Sequence, residues 1–338
     1  MKKIIPLLLA LAMTVGLLAG CGQQNDTNKT NKLSIVTTIF PEYDWVKEIL
    51  GDKADNAEIT MLLDNGVDLH SYQPTADDIV KISDCDLFIY VGGESDGWVD
   101  DALKNATNED MKVINLLEVL GDSVKEEKTV EGMQEEEHDH DYEDADGHDD
   151  AKEHDHEEEV EYDEHVWLSL KNAETLVNAI SKSLQELDPD NKDSYAANSE
   201  AYVKKLSALD ADYQAAVDSA TYKTVLFGDR FPFRYMADDY GLSYYAAFVG
   251  CSAETEASFE TISFLAGKVD ELKLPCVLTI EGTQHKIAET IVENTIEKSQ
   301  KVLTMDSMQS TTLKDVASGT TYLSIMEKNL SVLKESLG

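Results

Sequence analysis

One local pattern occurs twice in the sequence: a short apolar strand, then Phe-Pro, then a helix that ends at glycine. The first copy starts with the strand 33–39 and ends at Gly51, and the second starts with the strand 224–227 and ends at Gly241. Proline suits the first turn of a helix, and glycine suits the position just after its end. Strands and helices continue to alternate after each copy, which is typical of parallel sheets covered by helices. The sequence therefore predicts an α/β fold with two similar parallel-sheet lobes.

A long helix is predicted between the two lobes. Residues 190–219 carry apolar side chains at helical spacing, and thirty helical residues span roughly 45 Å. These side chains are Tyr195, Tyr202, Leu206, Leu209, Tyr213 and Ala216. The predicted organisation is an N-terminal α/β lobe of residues 33–189, a linker helix of residues 190–219, and a C-terminal α/β lobe of residues 220–338.

The first twenty residues have the features of a secretory signal. Lys2 and Lys3 precede an apolar stretch of residues 4–18, which is short for a membrane span. The signal ends in Leu-Ala-Gly before Cys21, which resembles the bacterial lipobox. We therefore expect a signal peptide of residues 1–20, lipidation of Cys21, and a flexible tether of residues 21–32. The mature protein is predicted to be extracytoplasmic and anchored to the cell membrane by lipid.

The charge of the chain excludes some partners and favours others. The sequence has 67 acidic residues against 28 basic ones, for a net charge of −39. Such a chain repels nucleic-acid phosphates and anionic lipid and attracts cations. Nearly half of the excess lies between Glu131 and Glu164, where 19 acidic residues accompany one basic residue, Lys152.

The same acidic window contains five of the eight histidines of the chain. Imidazole and carboxylate groups are ligands for zinc and other late first-row cations. A chain so rich in charge is predicted to be a disordered loop, over residues 122–162, which collects cations weakly. The predicted collecting residues are His138, His140, His148, His154 and His156.

Two further histidines, His70 and His165, occur in ordered surroundings. His70 lies in the motif Gly-x-Asp-x-His-x-Tyr-x-Pro of residues 66–74, and His165 in Glu-His-Val-Trp of residues 164–167. Together with the lipobox and the acidic His-rich insertion, these motifs resemble the metal-binding lipoproteins of ABC importers. The zinc-uptake branch, related to the manganese-binding members, is the most similar, and the resemblance covers nearly the whole mature chain.

The resemblance implies one metal ion in the cleft between the lobes, delivered to a membrane permease that works with a separate ATPase. It implies His70 and His165 as the first two ligands. The third family position falls on Arg230, which cannot ligate, so a shift of one residue would make Asp229 the ligand. The fourth position falls on Asp306, with Glu281 as a substitute. We expect a monomer and no catalytic residues.

The donor set favours Zn²⁺ as the transported ion over Mn²⁺, because imidazole suits zinc and manganese prefers oxygen ligands. Since imidazole must be neutral to bind, we expect loading to fail below about pH 6. A manganese-binding member, an exported metal buffer or an adhesin remains an alternative function. An exported zinc hydrolase is a further alternative, although the sequence has neither His-Glu-x-x-His nor Gly-x-Ser-x-Gly.

Three cysteines remain after Cys21. Cys85 and Cys276 each precede apolar runs and are predicted to be buried small hydrophobic residues. A disulfide between Cys251 and Cys276 is an alternative that the sequence leaves open.

Overall fold

A parallel four-stranded sheet forms the centre of the first lobe. The computed structural model describes residues 32–134, 161–252, 256–282 and 285–338, and residues 33–338 form one compact unit. The strand order is β2-β1-β3-β4, and every neighbouring pair is parallel. The strands are β1 Leu33–Thr37, β2 Ala57–Met61, β3 Leu87–Tyr90 and β4 Lys112–Asn115.

The second lobe repeats this topology. Its sheet has the order β6-β5-β7-β8, again with parallel neighbours, so each lobe places its first strand between its second and third. The strands are β5 Thr224–Phe231, β6 Ser243–Val249, β7 Cys276–Ile280 and β8 Lys301–Met305. The prediction of an α/β fold with two similar parallel-sheet lobes is confirmed.

Helices pack around the first sheet. The helices are α1 Phe40–Leu50, α2 Ala76–Asp84, α3 Val99–Leu103, α4 Leu116–Leu120 and α5 Leu170–Leu187. Helix α1 begins as the Phe-Pro motif predicts, and the buried carboxylate of Glu42 accepts hydrogen bonds from the backbone N–H groups of Thr38 and Ile39 at 2.8 and 3.3 Å. The bond from Ile39 satisfies an N–H group at the start of the helix that has no intrahelical partner. Gly51 ends the helix with φ of +55°, a value that other residues rarely adopt.

A helix of 28 residues, α6 Lys192–Ser219, connects the two lobes and spans about 42 Å. It contacts both of them. The side-chain amide of Asn198 donates to the backbone oxygen of Ile49 in the first lobe at 3.0 Å, and the Tyr213 hydroxyl donates to the backbone oxygen of Met326 in the second at 2.7 Å. The predicted linker helix is therefore present and is fixed to each lobe.

The second lobe contains five further helices in the described part of the chain. They are α7 Arg234–Tyr240, α8 Phe259–Leu272, α9 Lys286–Asn294, α10 Leu313–Ala317 and α11 Tyr322–Leu337. Helix α11 also joins the lobes, because the N–H of its first residue, Tyr322, donates to Asp44 of α1 at 2.9 Å. Among the described helices, none is both long and apolar enough to cross a membrane.

Parts of the segment predicted to be one disordered loop, residues 122–162, are held by defined contacts. The N–H of Lys125 donates to the Tyr235 hydroxyl at 3.0 Å, and the N–H of Glu127 donates to the backbone oxygen of Glu161 at 2.8 Å. The N–H of Gln134 donates to the backbone oxygen of Ala247 at 2.9 Å. Residues 122–134 and 161–162 thus bind the two lobes together, whereas residues 135–160 lie outside the described residues.

Asp44 makes the stability of this fold depend on pH. Its carboxylate is 4% exposed, and burial raises its pKa to about 6 from an ordinary value of 3.8. The folded state therefore holds the Asp44 proton more tightly than the unfolded state, so the contribution of Asp44 to stability falls as pH rises from about 4 to about 6 and is constant above. Asn at this position keeps an acceptor for the Tyr322 N–H without a charge. As pH rises over that interval, we expect the free energy of unfolding of Asp44→Asn to increase by on the order of 2–3 kcal/mol relative to that of the parent chain.

Urea unfolding of both proteins at several pH values between 4 and 7.5 measures this difference. Taking the difference cancels the titration of the carboxylates that the two proteins share. A difference in unfolding free energy that stays constant with pH would show that Asp44 does not titrate in this range.

Candidate metal site

His70 is held by a tight turn that follows strand β2. A 3₁₀ turn spans Leu69–Ser71, and the carboxylate of Asp68 caps it by accepting from the His70 N–H at 3.1 Å. The Nδ1 atom of His70 lies 2.8 Å from the hydroxyl oxygen of Ser95. With Nδ1 occupied in this way, Nε2 is the ring nitrogen that faces the second lobe and His165.

His165 is fully buried, and Asp163, two residues earlier in the sequence, holds it in place. Asp163 accepts from the His165 N–H at 2.9 Å and lies 3.0 Å from its Nδ1. A carboxylate at Nδ1 holds the ring proton there and leaves the lone pair of Nε2 available to a metal ion. The same arrangement of a carboxylate behind the imidazole orients histidine ligands in metal sites generally.

The two imidazoles face each other through their Nε2 atoms, which are 3.2 Å apart. Burial, and the positive charge that His165 would carry if protonated, lower the pKa of His70 to about 3. His70 is therefore held in the neutral form that a metal ion requires. For tetrahedral zinc with Zn–N bonds of about 2.0–2.1 Å, two nitrogen ligands lie about 3.3–3.4 Å apart, close to the separation in this structure.

Cys251 brings a third potential metal-donor atom to this point, and sequence reasoning did not identify it. Among the described residues, His70, His165 and Cys251 form a group in which one donor atom of each lies within 4.8 Å of the others. Cys251 follows strand β6, and its N–H donates to Glu127 at 3.0 Å. Burial and the nearby carboxylate of Glu127 raise the pKa of its thiol, so the side chain is protonated in the absence of a cation.

A glycine allows Cys251 to approach the histidines. A side-chain carbon at Gly250 would lie 3.1 Å from two atoms of the His165 ring and 3.0 Å from the backbone oxygen of Phe231. Such distances are tighter than most contacts of real side chains, so a larger residue would push the loop away from the ring. Gly250 therefore permits the loop of the second lobe to pack directly on His165.

A cavity of about 250 Å³ opens beside His70 and Cys251. Four glutamates line it, and burial raises the pKa of two of them, Glu127 and Glu164. The Oε2 atom of Glu164 lies 3.5 Å from Nδ1 of His70 and has no hydrogen-bond partner among the described residues. Such a concentration of carboxylates favours a cation in the cavity. The lining residues are His70, Glu94, Ser95, Glu127, Glu161, Tyr162, Glu164 and Cys251.

Arg230 occupies the position where the resemblance implied the third ligand. The structure places it in strand β5, with Nη2 2.5 Å from Oδ2 of Asp68 and Nη1 donating to the backbone oxygen of Ser252 at 3.2 Å. The guanidinium thereby connects the loop of Cys251 to the turn that carries His70. Its charge lowers the pKa of Asp68, which keeps that carboxylate ionised.

Asp229, the alternative third ligand, faces the interior of the second lobe. The sequence predicted that the strand ends at residue 227, but β5 continues to Phe231 with an irregularity in its pairing between Phe227 and Arg230. The carboxylate of Asp229 accepts from the Thr279 hydroxyl at 2.6 Å and from the Ile280 N–H at 3.3 Å. It is not part of the group formed by His70, His165 and Cys251.

Glu281 and Asp306 organise the loop that follows strand β8. Glu281 accepts from the N–H and hydroxyl of Ser307 at 2.6 and 2.7 Å, and from the N–H of Gln309 at 3.1 Å. Asp306 accepts from the Met308 N–H at 2.8 Å, and burial raises its pKa to about 6. Neither carboxylate is in the group of three donors. The Glu281 bonds instead position Gln309, whose amide lies 3.2 Å from Nε2 of His165.

The remaining predicted residues have different outcomes. Cys85, Cys251 and Cys276 are free thiols, so the structure contains no disulfide between Cys251 and Cys276, and the prediction that Cys85 and Cys276 are buried is confirmed. The predicted lipidation residue, Cys21, and the collecting histidines lie outside the described residues. Those histidines are His138, His140, His148, His154 and His156.

Known proteins share this architecture. The model of the ZnuA family, described as zinc-uptake complex component A, periplasmic, matches residues 35–336. The chain belongs to this family. It is 33% identical over 336 residues to the zinc-binding lipoprotein AdcA of Streptococcus pneumoniae, covering 99% of this chain and 61% of that protein. It is 31% identical over 334 residues to the high-affinity zinc uptake system protein ZnuA of Bacillus subtilis, covering 98% of this chain and 97% of that protein.

A solved structure of the family has the same fold. The Zn(II)-bound ZnuA-like domain of Streptococcus pneumoniae AdcA aligns with a TM-score of 0.67 and 29% identity, covering 90% of this chain and 99% of that domain. The chain thus spans about three fifths of the length of its streptococcal relatives and nearly the full length of the Bacillus relative.

Proposed function

We propose that this chain is the extracytoplasmic solute-binding component of a zinc ABC importer. The observation that carries the proposal is the pair of Nε2 atoms, 3.2 Å apart, each with its opposite ring nitrogen held by another side chain. Such preorganised imidazoles at the interface of two lobes suit one borderline cation better than a structural role. Relatives named for zinc binding and zinc uptake support the same conclusion.

The proposed role requires capture and release of the ion and no chemical turnover, so we assign no catalytic residue. The permease that receives the ion is the expected membrane partner, with a separate ATPase supplying energy. We further propose that the mature chain is a monomer and begins at a lipidated Cys21, preceded by a signal peptide of residues 1–20 and followed by a tether of residues 21–32. Cys21→Ala should move the protein from the membrane fraction to the medium.

Zinc titration against a chelating indicator, followed by uptake measurement, tests the function. We expect one tightly bound ion per chain, and we expect cells lacking the chain to take up labelled zinc more slowly when zinc is limiting. Uptake of manganese in the same cells is the control and should be unchanged. Absence of a tight one-to-one site in the purified chain would refute the proposal.

We also propose that the His-rich acidic segment collects ions for the cleft. The described residues that directly follow it support this, because Glu161 and Tyr162 line the cavity beside His70. The ordered contacts of residues 131–134 and 161 indicate where the segment can be removed without disturbing the lobes: residues 135–160 should be replaced by a short Gly-Ser linker.

The linker variant should keep the tight site and lose the weaker ones. We expect the affinity of the one-to-one site to change less than about threefold, because none of the ligands that we assign lies in the segment. Uptake at limiting zinc should slow, while uptake at abundant zinc should match the parent. If the variant loses the tight site altogether, the segment rather than the cleft is the principal binding site.

A further inference from the structure

The Cys251 side chain lies at the position that a third ligand of an ion bound by His70 and His165 would occupy. Zinc holds thiolate sulfur at about 2.3 Å and imidazole nitrogen at about 2.0–2.1 Å, so tetrahedral donors lie about 3.3–3.6 Å apart. The two Nε2 atoms already have this spacing, and the thiol sulfur lies within 4.8 Å of both. A small movement of the Cys251 side chain is enough to bring all three donors onto one ion.

The backbone around Cys251 is fixed on both sides. Its own N–H donates to Glu127, and the next backbone oxygen, of Ser252, accepts from Arg230. The preceding Gly250 packs against the His165 ring. These contacts hold the half-buried Cys251 on a loop that is directed toward the two imidazoles.

The residue at the family's third ligand position cannot compete for the ion. Arg230 has no lone pair to give, and its guanidinium is committed to Asp68 and to the backbone of Ser252. The second lobe therefore lacks a donor at residue 230 and presents one, Cys251, on the neighbouring loop. Neither Asp229 nor Asp306 compensates, because each is bonded within its own lobe.

We propose that Cys251 is a ligand of the transported ion, binding it as a thiolate beside His70 and His165. The inference rests on the proposed function, since it names a ligand of the same site. As the sulfur–metal bond forms, the thiol proton passes to water, and no oxidant or reductant takes part. A His₂Cys donor set favours Zn²⁺, and softer ions such as Cd²⁺, over Mn²⁺.

Substitution of Co²⁺ for zinc in the full chain tests the ligand directly. A thiolate bound to Co²⁺ produces a charge-transfer band in the near ultraviolet, which imidazole and carboxylate ligands do not produce. The collecting segment contains no cysteine and so cannot contribute to this band. We expect the band to appear with the first equivalent of Co²⁺ and to vanish when Zn²⁺ displaces it.

Two variants separate Cys251 from the other thiols. Cys251→Ser should lose the band and bind zinc on the order of 100-fold more weakly, because loss of even an outer partner of a ligand costs 10–100-fold. Cys276→Ala, which removes a buried thiol of strand β7, should retain both the band and the affinity. Cys251→His should recover tight binding without the band.

The outcomes distinguish the two proposals. If the parent chain binds one Co²⁺ tightly without a charge-transfer band, or if Cys251→Ser binds zinc as the parent does, Cys251 is not a ligand while the importer function stands. If the parent chain shows no tight one-to-one site for either ion, the proposed function fails, and the assignment of Cys251 fails with it.

Discussion

Replacing His165 by alanine is expected to weaken zinc binding by more than about 100-fold, which is the loss that removal of a mere outer partner can cause. The substitution removes one of the two Nε2 atoms that face each other at 3.2 Å and leaves Asp163 without the imidazole that it orients. His70 then has no second nitrogen with which to share an ion. The His70 imidazole and the Cys251 thiolate that we propose are then two donors, fewer than the three or four protein ligands of structural and catalytic zinc sites, so binding should be weak.

The measurement is best made in the variant whose residues 135–160 are replaced by a Gly-Ser linker, because that variant lacks the weak binding that we propose for the His-rich acidic segment. Competition with a chelating indicator gives the affinity. Zinc should raise the melting temperature of the parent, because it binds the folded state alone, and should leave that of His165→Ala unchanged. Unfolding without zinc shows whether the variant is folded.

His285→Ala is the matched control. His285 is a histidine of the second lobe whose Nδ1 lies 3.1 Å from the Thr279 hydroxyl, and it is not part of the group of three donors. We expect the His285→Ala variant to bind zinc with the same affinity as the parent chain. Equal zinc affinity in His165→Ala and His285→Ala would show that His165 is not a ligand.

The fold could be predicted from the sequence because its determinants are local. Each strand of the first sheet and the linker helix is specified by its own apolar spacing and by the proline, glycine or capping residue at its ends. The strand 33–39 and the helix 190–219 differ from β1 and α6 of the structure by only a few residues. His70 and His165, whose Nε2 atoms meet in the structure, likewise lie in motifs that need only a few consecutive residues.

The rest of the site depends on which segments meet, and no short motif contains that information. Cys251 lies 86 residues from His165 in the sequence, and its position depends on strand β6, which the analysis of the sequence did not identify. The predicted strand ends at residue 227, before Asp229, but continuation of strand β5 to Phe231 turns the Asp229 carboxylate toward Thr279 inside the lobe. Arg230 and Asp68 are 162 residues apart in the sequence, and the residues around neither one predict that they pair.

Trp167→Ala is expected to lower the free energy of unfolding by about 3–5 kcal/mol, the usual cost of removing a large aromatic side chain from a core. Trp167 is fully buried, and its indole N–H donates to the backbone oxygen of Ser307 in the second lobe at 2.9 Å. Its backbone oxygen accepts from the Tyr322 hydroxyl of α11 at 2.7 Å. The substitution therefore leaves a cavity and an unsatisfied buried acceptor at the junction of the lobes.

Urea unfolding measures the loss, and Trp98→Ala is the matched control because Trp98 is half-buried and packs on Tyr72 and Phe88 within the first lobe. We expect Trp98→Ala to lower the free energy of unfolding clearly less than Trp167→Ala does. Trp167→Phe keeps much of the apolar volume but cannot donate to Ser307, so it should lose roughly 1–3 kcal/mol, the cost of leaving a buried polar group unsatisfied.

Zinc affinity is the second property that Trp167→Ala should change. The Trp167 ring lies 5.2 Å from the His165 ring, centroid to centroid, and His165 precedes the turn that contains Trp167. A cavity beside the His165 imidazole allows the ring to move in the absence of zinc. Zinc binding must then order the ring again, and this cost weakens the affinity. Trp98→Ala should leave zinc affinity unchanged. If Trp167→Ala is destabilised yet binds zinc as tightly as the parent, then Asp163 alone holds His165 in place, and the junction of the lobes stabilises the fold without preorganising the site.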